Sequence, residues 1–292
     1  MNPHSGFIDV HMHLVPKHSF KSEPITIEVL LKRMNELGIE KAVILPEISP
    51  EGIFFYCTTE VVLSSCKGFQ DKLIPFCNID PRCGGNSPDT DFRWVLSEYK
   101  GAGCKGLGEV MANIYFDYPR ALNLFKQCGE IGFPILFHMG VMIGGVYGPV
   151  DDIGLPRLEQ ALSILPDTIF IGHAMAFWAE ISSEVDPSTR GGYPSGPIRS
   201  PGRLQALLSR YDNLFGDLSA GSGFNAISRD PEYGYKFLDE FQDKLLFGTD
   251  IYFANEDAPI VKYLRNLVER ENISEDAFRK ISRDNVRKLL DL

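Results

Sequence analysis

Short β-type runs alternate with longer helical segments along the whole chain, and this alternation is the feature that most limits its possible folds. We predict strands at residues 7–11, 41–45, 73–77, 104–110, 134–138, 168–172, 214–218 and 245–248. Helical patterns separate them, including residues 27–37, 155–165, 202–211 and 257–271, and a closing helix is predicted at 274–290. Alternating strands and crossover helices indicate an α/β protein with a parallel sheet. Eight such units in 292 residues predict a closed (β/α)8 barrel of the TIM type.

An open, doubly wound sheet is the structural alternative. Such a sheet usually carries a glycine-rich phosphate-binding turn after its first strand, whereas the sequence at this point is HMHLVPK. No repeat, low-complexity segment or linker divides the chain, so we predict a single domain over residues 1–292.

Composition and charge narrow the classes of function. The chain has 44% hydrophobic and 23% charged residues, which is typical of a globular protein. Its formal net charge of −10, from 29 basic and 39 acidic residues, argues against a nucleic-acid groove, which requires a basic field. No apolar stretch reaches the roughly 18 residues of a membrane span. The first residues also lack the basic and apolar regions of a signal peptide.

The six cysteines contain no C-x-x-C pair, and several lie in apolar segments. Reduced thiols packed as small hydrophobic side chains are therefore expected. Together with the charge, this predicts a cytoplasmic protein that acts on a small molecule, without a membrane or a nucleic acid as partner. The sequence leaves open whether it forms a homo-oligomer.

Two connections are unusually rich in glycine and proline. Residues 139–154 follow the fifth predicted strand, and residues 174–202 follow the sixth. Long irregular connections in a compact domain are usually functional, and these leave the carboxyl ends of strands, where barrel enzymes keep their active sites. We therefore expect both to be active-site loops.

Two histidines, His11 and His13, stand at the end of the first predicted strand. Residues i and i+2 of a strand point to the same side, so the two imidazoles project together, and Asp9 lies on that side one step deeper. Two imidazoles on an apolar segment are costly unless something binds them. A pair of exposed turn histidines is the alternative.

Four further polar residues fall at the ends of other predicted strands: Glu109 after the fourth, His138 after the fifth, His173 after the sixth and Asp250 after the eighth. From Glu109 to His138 is 29 residues and from His138 to His173 is 35, which is one βα unit each. Each residue alone has an ordinary explanation, such as a core histidine, an ion-pair partner or a helix N-cap. All six at one rim of one barrel predict a divalent metal site.

The residue types also indicate which ions would bind. Imidazole and carboxylate ligands suit zinc, which is the expected ion, and also manganese or iron. The absence of nearby cysteines argues against a closed structural zinc site. A catalytic ion lowers the pKa of a bound water, and a carboxylate at the rim can accept the proton of that water and pass it to a leaving group.

These residues and several short motifs resemble the amidohydrolase superfamily over essentially the whole chain. The pattern His11-x-His13, His138, His173 and Asp250 is similar to that of the superfamily. The motifs HMG, GHA, FGDLS, LFGTD and NVRKLL are most similar to its amidohydrolase-related branch of small hydrolases, lactonases and decarboxylases.

The resemblance implies a role for each residue. His11, His13, His138 and Asp250 would bind the principal metal, and Asp250 would also serve as a proton shuttle. His173 would bind a second metal or polarise the carbonyl group of the substrate. The chain departs from the two-metal pattern in which a carboxylated lysine on the fourth strand bridges the metals. Lys105 lies early in that strand here, so Glu109 is the expected bridge, as in the TatD-type hydrolases.

Other polar residues near the predicted strand ends allow two interpretations each. Asp9 would either orient a metal-binding imidazole or form an ion pair in the barrel core. Asp217 would either contact the site and its substrate or cap the next segment. Arg190, Arg199 and Arg203 would either clamp a carboxylate or phosphate of the substrate or be ordinary surface charges. His18 is predicted to be a surface histidine.

The predicted function is metal-dependent hydrolysis of a C–O or C–N bond in a small molecule, such as a lactone, an ester or an amide. Nonoxidative decarboxylation on the same metal site is the alternative, and a non-catalytic ligand-binding barrel is the third reading. The sequence leaves the substrate and the number of ions, one or two per chain, open.

Overall fold

The eight predicted strands are all present, with bounds shifted by a few residues. The computed structural model describes residues 6–15, 25–85 and 87–292, except for the side chains of residues 53–55. The strands are β1 (Phe7–His13), β2 (Ile39–Leu45), β3 (Leu73–Pro75), β4 (Leu107–Val110), β5 (Ile135–His138), β6 (Phe170–His173), β7 (Leu214–Asp217) and β8 (Leu245–Leu246). His18, predicted to be a surface histidine, lies outside the described residues.

The strands form one parallel barrel. Parallel ladders run in the order β1-β2-β3 and β4-β5-β6-β7-β8. Two single parallel bridges connect these ladders: Cys77 pairs with Leu107, and Met12 pairs with Ile251. At the second junction, the backbone N–H of Val10 also donates to the carbonyl of Phe247 at 3.0 Å. Because all strands are parallel, their carboxyl ends meet on one face of the barrel.

Helices follow the strands on the outside of the barrel. They are α1 (Ile27–Leu37), α2 (Thr59–Cys66), α3 (Arg93–Gly101), α4 (Pro119–Glu130), α5 (Pro156–Ile164), α6 (Met175–Trp178), α7 (Arg203–Arg210), α8 (Ala220–Ser228), α9 (Pro231–Glu240), α10 (Pro259–Glu269), α11 (Glu275–Arg279) and α12 (Asn285–Leu290). In the described part of the chain, none of them has the length and apolar character needed to cross a membrane.

The single closing helix predicted at residues 274–290 is interrupted in the structure. A π-helical turn, Lys280–Asp284, separates α11 from α12. Within this turn, the carbonyl of Ile281 accepts a hydrogen bond of 3.0 Å from the amide of Phe247, just after β8. Because this carbonyl accepts a hydrogen bond from the barrel, the pattern of backbone hydrogen bonds within the helix is irregular at this point.

Side chains from the strands fill the inside of the barrel. The cluster comprises Ile8, Val10, Val43, Leu45, Ile74, Phe76, Leu136, Ile171 and Leu246, with Val286 and Leu290 of α12 packed against it. A larger apolar layer lies between the strands and the surrounding helices. The interior is thus a packed core, rather than a pore, beneath the face where the carboxyl ends of the strands meet.

The two long connections are tied to each other by a buried arginine. Residues 139–154 contain no helix, as expected, whereas residues 174–202 begin with α6 and a short 3-10 helix, Ala179–Ile181, and become irregular after it. Arg190 donates from Nη1 to the carbonyl of Asp151 at 2.5 Å and from Nη2 to that of Asp152 at 3.3 Å. Arg190 therefore joins the two loops and is not a solvated surface charge.

Candidate metal centre

The two histidines of β1 aim their Nε2 atoms at one point, where the two atoms are 2.9 Å apart. Both rings are buried. Nδ1 of His11 lies 2.7 Å from Oδ2 of Asp217, so the proton of the imidazole belongs on Nδ1 and the Nε2 lone pair faces His13. Two nitrogen lone pairs this close repel each other unless a cation or a proton lies between them. The arrangement fits a metal ion.

Asp250 adds a carboxylate to the same point. Its Oδ1 lies 3.2 Å from Nε2 of His11 and 3.3 Å from Nε2 of His13. Ligands about 2.0–2.1 Å from one tetrahedral zinc ion would be about 3.3 Å apart, so the three donors fit a shared ion. The backbone of Asp250 has a left-handed φ of 59°, which is rare for a non-glycine residue, and its N–H donates to the carbonyl of His11 at 2.8 Å.

Glu109, at the end of β4, lies between two groups of histidines. Its Oε2 is 3.6 Å from Nε2 of His11 and 3.6 Å from Nε2 of His13. Its Oε1 is 2.8 Å from Nδ1 of His138 and 3.9 Å from Nε2 of His173. Each carboxylate oxygen thus faces a different pair of imidazoles.

The local sequence around Glu109 fixes its backbone. The preceding residue, Gly108, has a φ of 149°, and a Cβ atom there would lie 2.6 Å from the carbonyl oxygen of Leu136. Only glycine fits this position. The side chain of Asn78 donates from Nδ2 to the carbonyl of Glu109 at 2.5 Å. Glu109 is therefore held in place by the barrel itself.

A second group of donors consists of Glu109, His138 and His173, with ligand atoms within 4.8 Å of one another. Nδ1 of His173 lies 2.9 Å from the Oγ of Ser219, which leaves Nε2 to face the centre. The resemblance placed His138 with His11, His13 and Asp250. In the structure, His138 lies beside Glu109 and His173, because β5 and β6 are neighbours and pair His138 directly with His173.

Asp217 lies beneath the imidazoles and not at the open side of the site. Its side chain is 0% exposed, and its Oδ2 contacts Nδ1 of His11 at 2.7 Å and Nδ1 of His173 at 3.2 Å. Ser219 also donates to it, from the backbone N–H at 2.9 Å and from Oγ at 2.7 Å. The substrate contact suggested by the sequence does not fit a fully buried carboxylate. The position of Asp217 fits a residue that orients histidines.

The three arginines in or directly after the connection 174–202 do not reach the cluster of histidines and carboxylates. The side chain of Arg199 is 78% exposed and forms an ion pair with Glu184 at 3.5 Å. Arg203 forms an ion pair with Glu159. Arg190 donates its hydrogen bonds to the carbonyls of Asp151 and Asp152, as described above. Among the described contacts, none links these three residues to the histidines. The proposed substrate clamp at Arg199 is therefore not supported by its position, because the loop carries it to the surface.

Asp9 stabilises the junction between β1 and β8. It accepts hydrogen bonds from the backbone N–H of His11 at 2.9 Å, the N–H of Thr249 at 3.1 Å and the hydroxyl of Thr249 at 2.6 Å. Neither alternative from the sequence describes this role, since the contacts go to backbone and hydroxyl groups and not to an imidazole or a cation. Burial raises the pKa of Asp9 to about 7. Its three hydrogen bonds fix the backbone of His11 beside Asp250.

Opposite charges inside the centre shift the pKa values of its residues. Burial disfavours the charged form of His11, but the carboxylates of Asp250 and Glu109 outweigh it and hold the pKa of His11 well above its usual value. Burial also opposes ionisation of Glu109, Asp250 and Asp217, yet the neighbouring imidazoles hold all three pKa values below the usual range. The carboxylates are therefore ionised at neutral pH and ready to hold a cation.

Three contributors to the centre were missed by the sequence interpretation. Glu47 is buried just after β2, Asn78 fixes the backbone of Glu109, and Ser219 bonds His173 and Asp217. Glu47 lies two residues after the end of β2, as close to its strand as the predicted ligands are to theirs. A search for polar residues at the end of every predicted strand would therefore have found it. Asn78 and Ser219 have no comparable signal, because amides and hydroxyls are common in loops.

A comparison with protein families decides the classification of this barrel. The model of the amidohydrolase family matches residues 8–292, almost the entire chain. The chain belongs to the amidohydrolase family. The resemblance inferred from the HxH pattern and the strand-end residues is thereby confirmed. Amidohydrolase-superfamily enzymes use divalent metal ions, and the donor groups of this member fit such ions.

Solved structures of related barrels agree with this classification. An uncharacterised TIM-barrel protein from Bordetella bronchiseptica shares 17% identity, with 98% of each chain covered and a TM-score of 0.65. A 5-carboxyvanillate decarboxylase from Novosphingobium aromaticivorans, in complex with manganese and a nitrobenzoic acid, shares 13% identity over 100% of this chain and 97% of its own, with a TM-score of 0.63.

A third solved structure is a probable 2-pyrone-4,6-dicarboxylic acid hydrolase from Acinetobacter baumannii with bound citric acid. It shares 14% identity over 98% of this chain and 100% of its own, with a TM-score of 0.61. At these identities the three structures establish the barrel fold. Among curated proteins, a sequence comparison finds no match.

Proposed function

We propose that this amidohydrolase is a metal-dependent hydrolase that uses water to cleave a C–O or C–N bond of a small molecule, such as a lactone, an ester or an amide. The position of Asp250 carries the proposal. Its carboxylate touches Nε2 of both β1 histidines, yet its side chain is 25% exposed, whereas His11, His13 and Glu109 are buried. It is the donor best placed to exchange protons with a molecule at the rim.

The donors divide into two sets that share Glu109. His11, His13 and Asp250 would hold one ion, and His138 and His173 would hold a second, with Glu109 between them. Zinc is our expectation for both ions, with manganese as the alternative. Divalent ions there would polarise the bond to be cleaved and lower the pKa of a coordinated water toward neutrality.

The side chains themselves supply positioning and proton transfer. Asp250 is ionised because its pKa lies below the usual value, so it can accept a proton from the attacking water and deliver it to the leaving group. His173, whose Nε2 is 3.6 Å from Oδ2 of Asp250, is the second catalytic candidate: it would bind the second ion or polarise the substrate carbonyl. Asp217 and Ser219 keep both imidazoles in orientation.

Nonoxidative decarboxylation is the second candidate. It is supported by the related barrels that are decarboxylases, including a 2,6-dihydroxybenzoate decarboxylase from Rhizobium. In decarboxylation, the carbon that loses carbon dioxide must gain a proton, whereas Asp250 is ionised and therefore suited to accept a proton from water. We therefore favour hydrolysis.

We expect the enzyme to act in the cytoplasm on a diffusible substrate. The six cysteines are free, and all but Cys83 are buried, which suits a reducing compartment. The net charge of −10 makes nucleic acid an unfavourable partner.

The test is a substrate panel with metal-loaded protein. Lactones, esters, amides and aromatic carboxylic acids are incubated with the enzyme in oxygen-18-labelled water, and products are analysed by mass spectrometry. Incorporation of the label into a product, absent in the Asp250→Asn variant, supports hydrolysis. Release of carbon dioxide without label in the remaining product supports the decarboxylase instead. A control variant, Asp257→Asn, carries an exposed substitution in the same connection after β8 and should keep the activity.

A further inference from the structure

Glu47 is a buried carboxylate that faces the metal centre. It follows β2 on the same barrel face as the histidines and is only 4% exposed. Its loop is closed by two backbone hydrogen bonds of 2.8 Å with Cys57, one in each direction. The loop therefore fixes Glu47 at this place, independently of any contact made by its own carboxylate.

Two buried atoms without hydrogen-bond partners meet at Glu47. Its Oε2 lies 4.0 Å from Nδ1 of His13, and within the described part of the chain neither atom forms a hydrogen bond. Buried polar atoms that lack partners are unfavourable and therefore uncommon. Because Oε2 of Glu47 and Nδ1 of His13 face each other without partners, we expect them to form a hydrogen bond when the site binds a ligand.

The neighbouring histidine shows what that contact would be. His11 directs Nε2 to the centre and has the carboxylate of Asp217 at its Nδ1, 2.7 Å away. His13 has the same orientation, with Nε2 at the centre and a carboxylate, that of Glu47, on its Nδ1 side. A histidine that binds a metal through Nε2 carries its proton on Nδ1 and needs an acceptor there.

We infer that Glu47 is a positioning residue that accepts the Nδ1 hydrogen of His13 when the centre holds a divalent ion. A shift of about 1 Å would bring the two atoms to hydrogen-bond distance. Glu47 then sets the affinity of the ion held by His11, His13 and Asp250. The inference rests on the proposed metal centre, and it does not depend on which reaction the centre catalyses.

A direct metal ligand is the competing role for Glu47, since its oxygen also lies within 4.8 Å of donor atoms of His13 and Glu109. The two roles differ in a measurable way. Loss of a ligand reduces the number of ions bound at saturation, whereas loss of a positioning residue weakens binding and leaves the number unchanged.

The experiment compares Glu47→Gln and Glu47→Leu with a control, Glu51→Gln. Glu51 lies on the same loop but bonds Arg82 at 2.7 Å instead of a histidine. For each protein, the dissociation constant for Mn²⁺ is measured by competition with a chelator. The ions bound at saturation are counted by plasma emission spectrometry, and the unfolding midpoint of the metal-free protein is recorded.

We expect both Glu47 variants to bind Mn²⁺ about 10–100-fold more weakly, with the number of ions at saturation unchanged. Their metal-free unfolding midpoints should equal or exceed that of the wild type, because the substitutions remove an unpaired buried carboxylate. Glu51→Gln should keep wild-type affinity. The unfolding midpoint of the metal-free protein distinguishes a positioning role of Glu47 from a purely structural one. If the role were structural, both substitutions would lower this midpoint.

Three results would overturn the inference while leaving the metal centre intact: unchanged affinity in both variants, loss of an ion at saturation, or a lower metal-free midpoint that accompanies weaker binding. A wild-type protein that binds no divalent ion would overturn the metal centre and this inference with it.

Discussion

The side chains of Asp217, on β7, and His11, on β1, are in direct contact, with 2.7 Å between Oδ2 of Asp217 and Nδ1 of His11. The same oxygen lies 3.2 Å from Nδ1 of His173, so one carboxylate orients an imidazole in each proposed ion site. Asp217→Asn should weaken the binding of divalent ions about 10–100-fold, because an amide can present its NH₂ group to Nδ1 and favour the wrong tautomer.

Competition with a chelator measures this effect. Asp212→Asn is the matched control, since that carboxylate is fully exposed just before β7 and pairs with Lys244. Wild-type affinity in Asp217→Asn would contradict the orienting role.

Gly248 gives a second test of the same contact. A Cβ atom at this position would lie 2.5 Å from Oδ1 of Asp217 and 2.8 Å from Cβ of Ser219. Gly248→Ala should displace Asp217 from His11 and so lower both the metal affinity and the unfolding midpoint. Gly101→Ala is the control, because a Cβ there meets nothing within 4 Å and an alanine favours α3. A Gly248→Ala protein with native affinity would show that the close approach is unnecessary.

The sequence was sufficient to predict the barrel and the six residues at its rim. Alternation of buried strands and helices is a strong signal, and the carboxyl ends of parallel strands must share a face. His11, His13, Glu109, His138, His173 and Asp250 therefore had to be near one another, and the structure places them in one cluster.

The grouping of those residues could not be predicted, because it depends on distances of a few ångströms across the barrel. Spacing along the chain does not show that Nδ1 of His138 lies 2.8 Å from Oε1 of Glu109. The roles of Asp217 and Arg190 also depend on side-chain direction: one turns beneath the histidines, and the other turns inward to loop carbonyls.

Metal affinity should rise with pH. A protonated imidazole cannot bind a metal, so protons and ions compete for His11 and His13. Burial opposes the charged form of both histidines, but nearby carboxylates raise the pKa values of both above the usual value. Because the folded-state pKa values are raised, protons compete with the ion up to a higher pH than they would at ordinary histidines. Affinity should climb by about tenfold per pH unit for each displaced proton.

Titrations with Mn²⁺ between about pH 6 and about pH 8 would measure this rise, with chelator competition corrected for the chelator's own protonation. A Glu98→Gln variant, with its exposed substitution on α3, should follow the wild-type curve. An affinity independent of pH across this range would show that the histidines do not bind the ion.

Glu109 decides the number of ions. If it bridges the two groups, metal-saturated wild type should hold about two ions per chain and Glu109→Gln about one, since a carboxamide offers a single good donor oxygen. Plasma emission spectrometry after gel filtration gives the count, and Glu98→Gln serves again as the matched control. A wild-type count near one would exclude the bridging role and leave His173 to act on the substrate.

Asp250 should contribute more to turnover than to binding. Its carboxylate is ionised beside the imidazoles and open to the rim, so it can take a proton at neutral pH. Asp250→Asn keeps the shape and one oxygen that can contact a metal, but the amide cannot accept the proton. General base catalysis is typically worth about 10²–10⁴ in rate, so kcat should fall at least about a hundredfold with at least one ion still bound. Asp257→Asn, in the same connection, should retain kcat. Near-native kcat in a metal-loaded Asp250→Asn enzyme would rule out Asp250 as the proton acceptor.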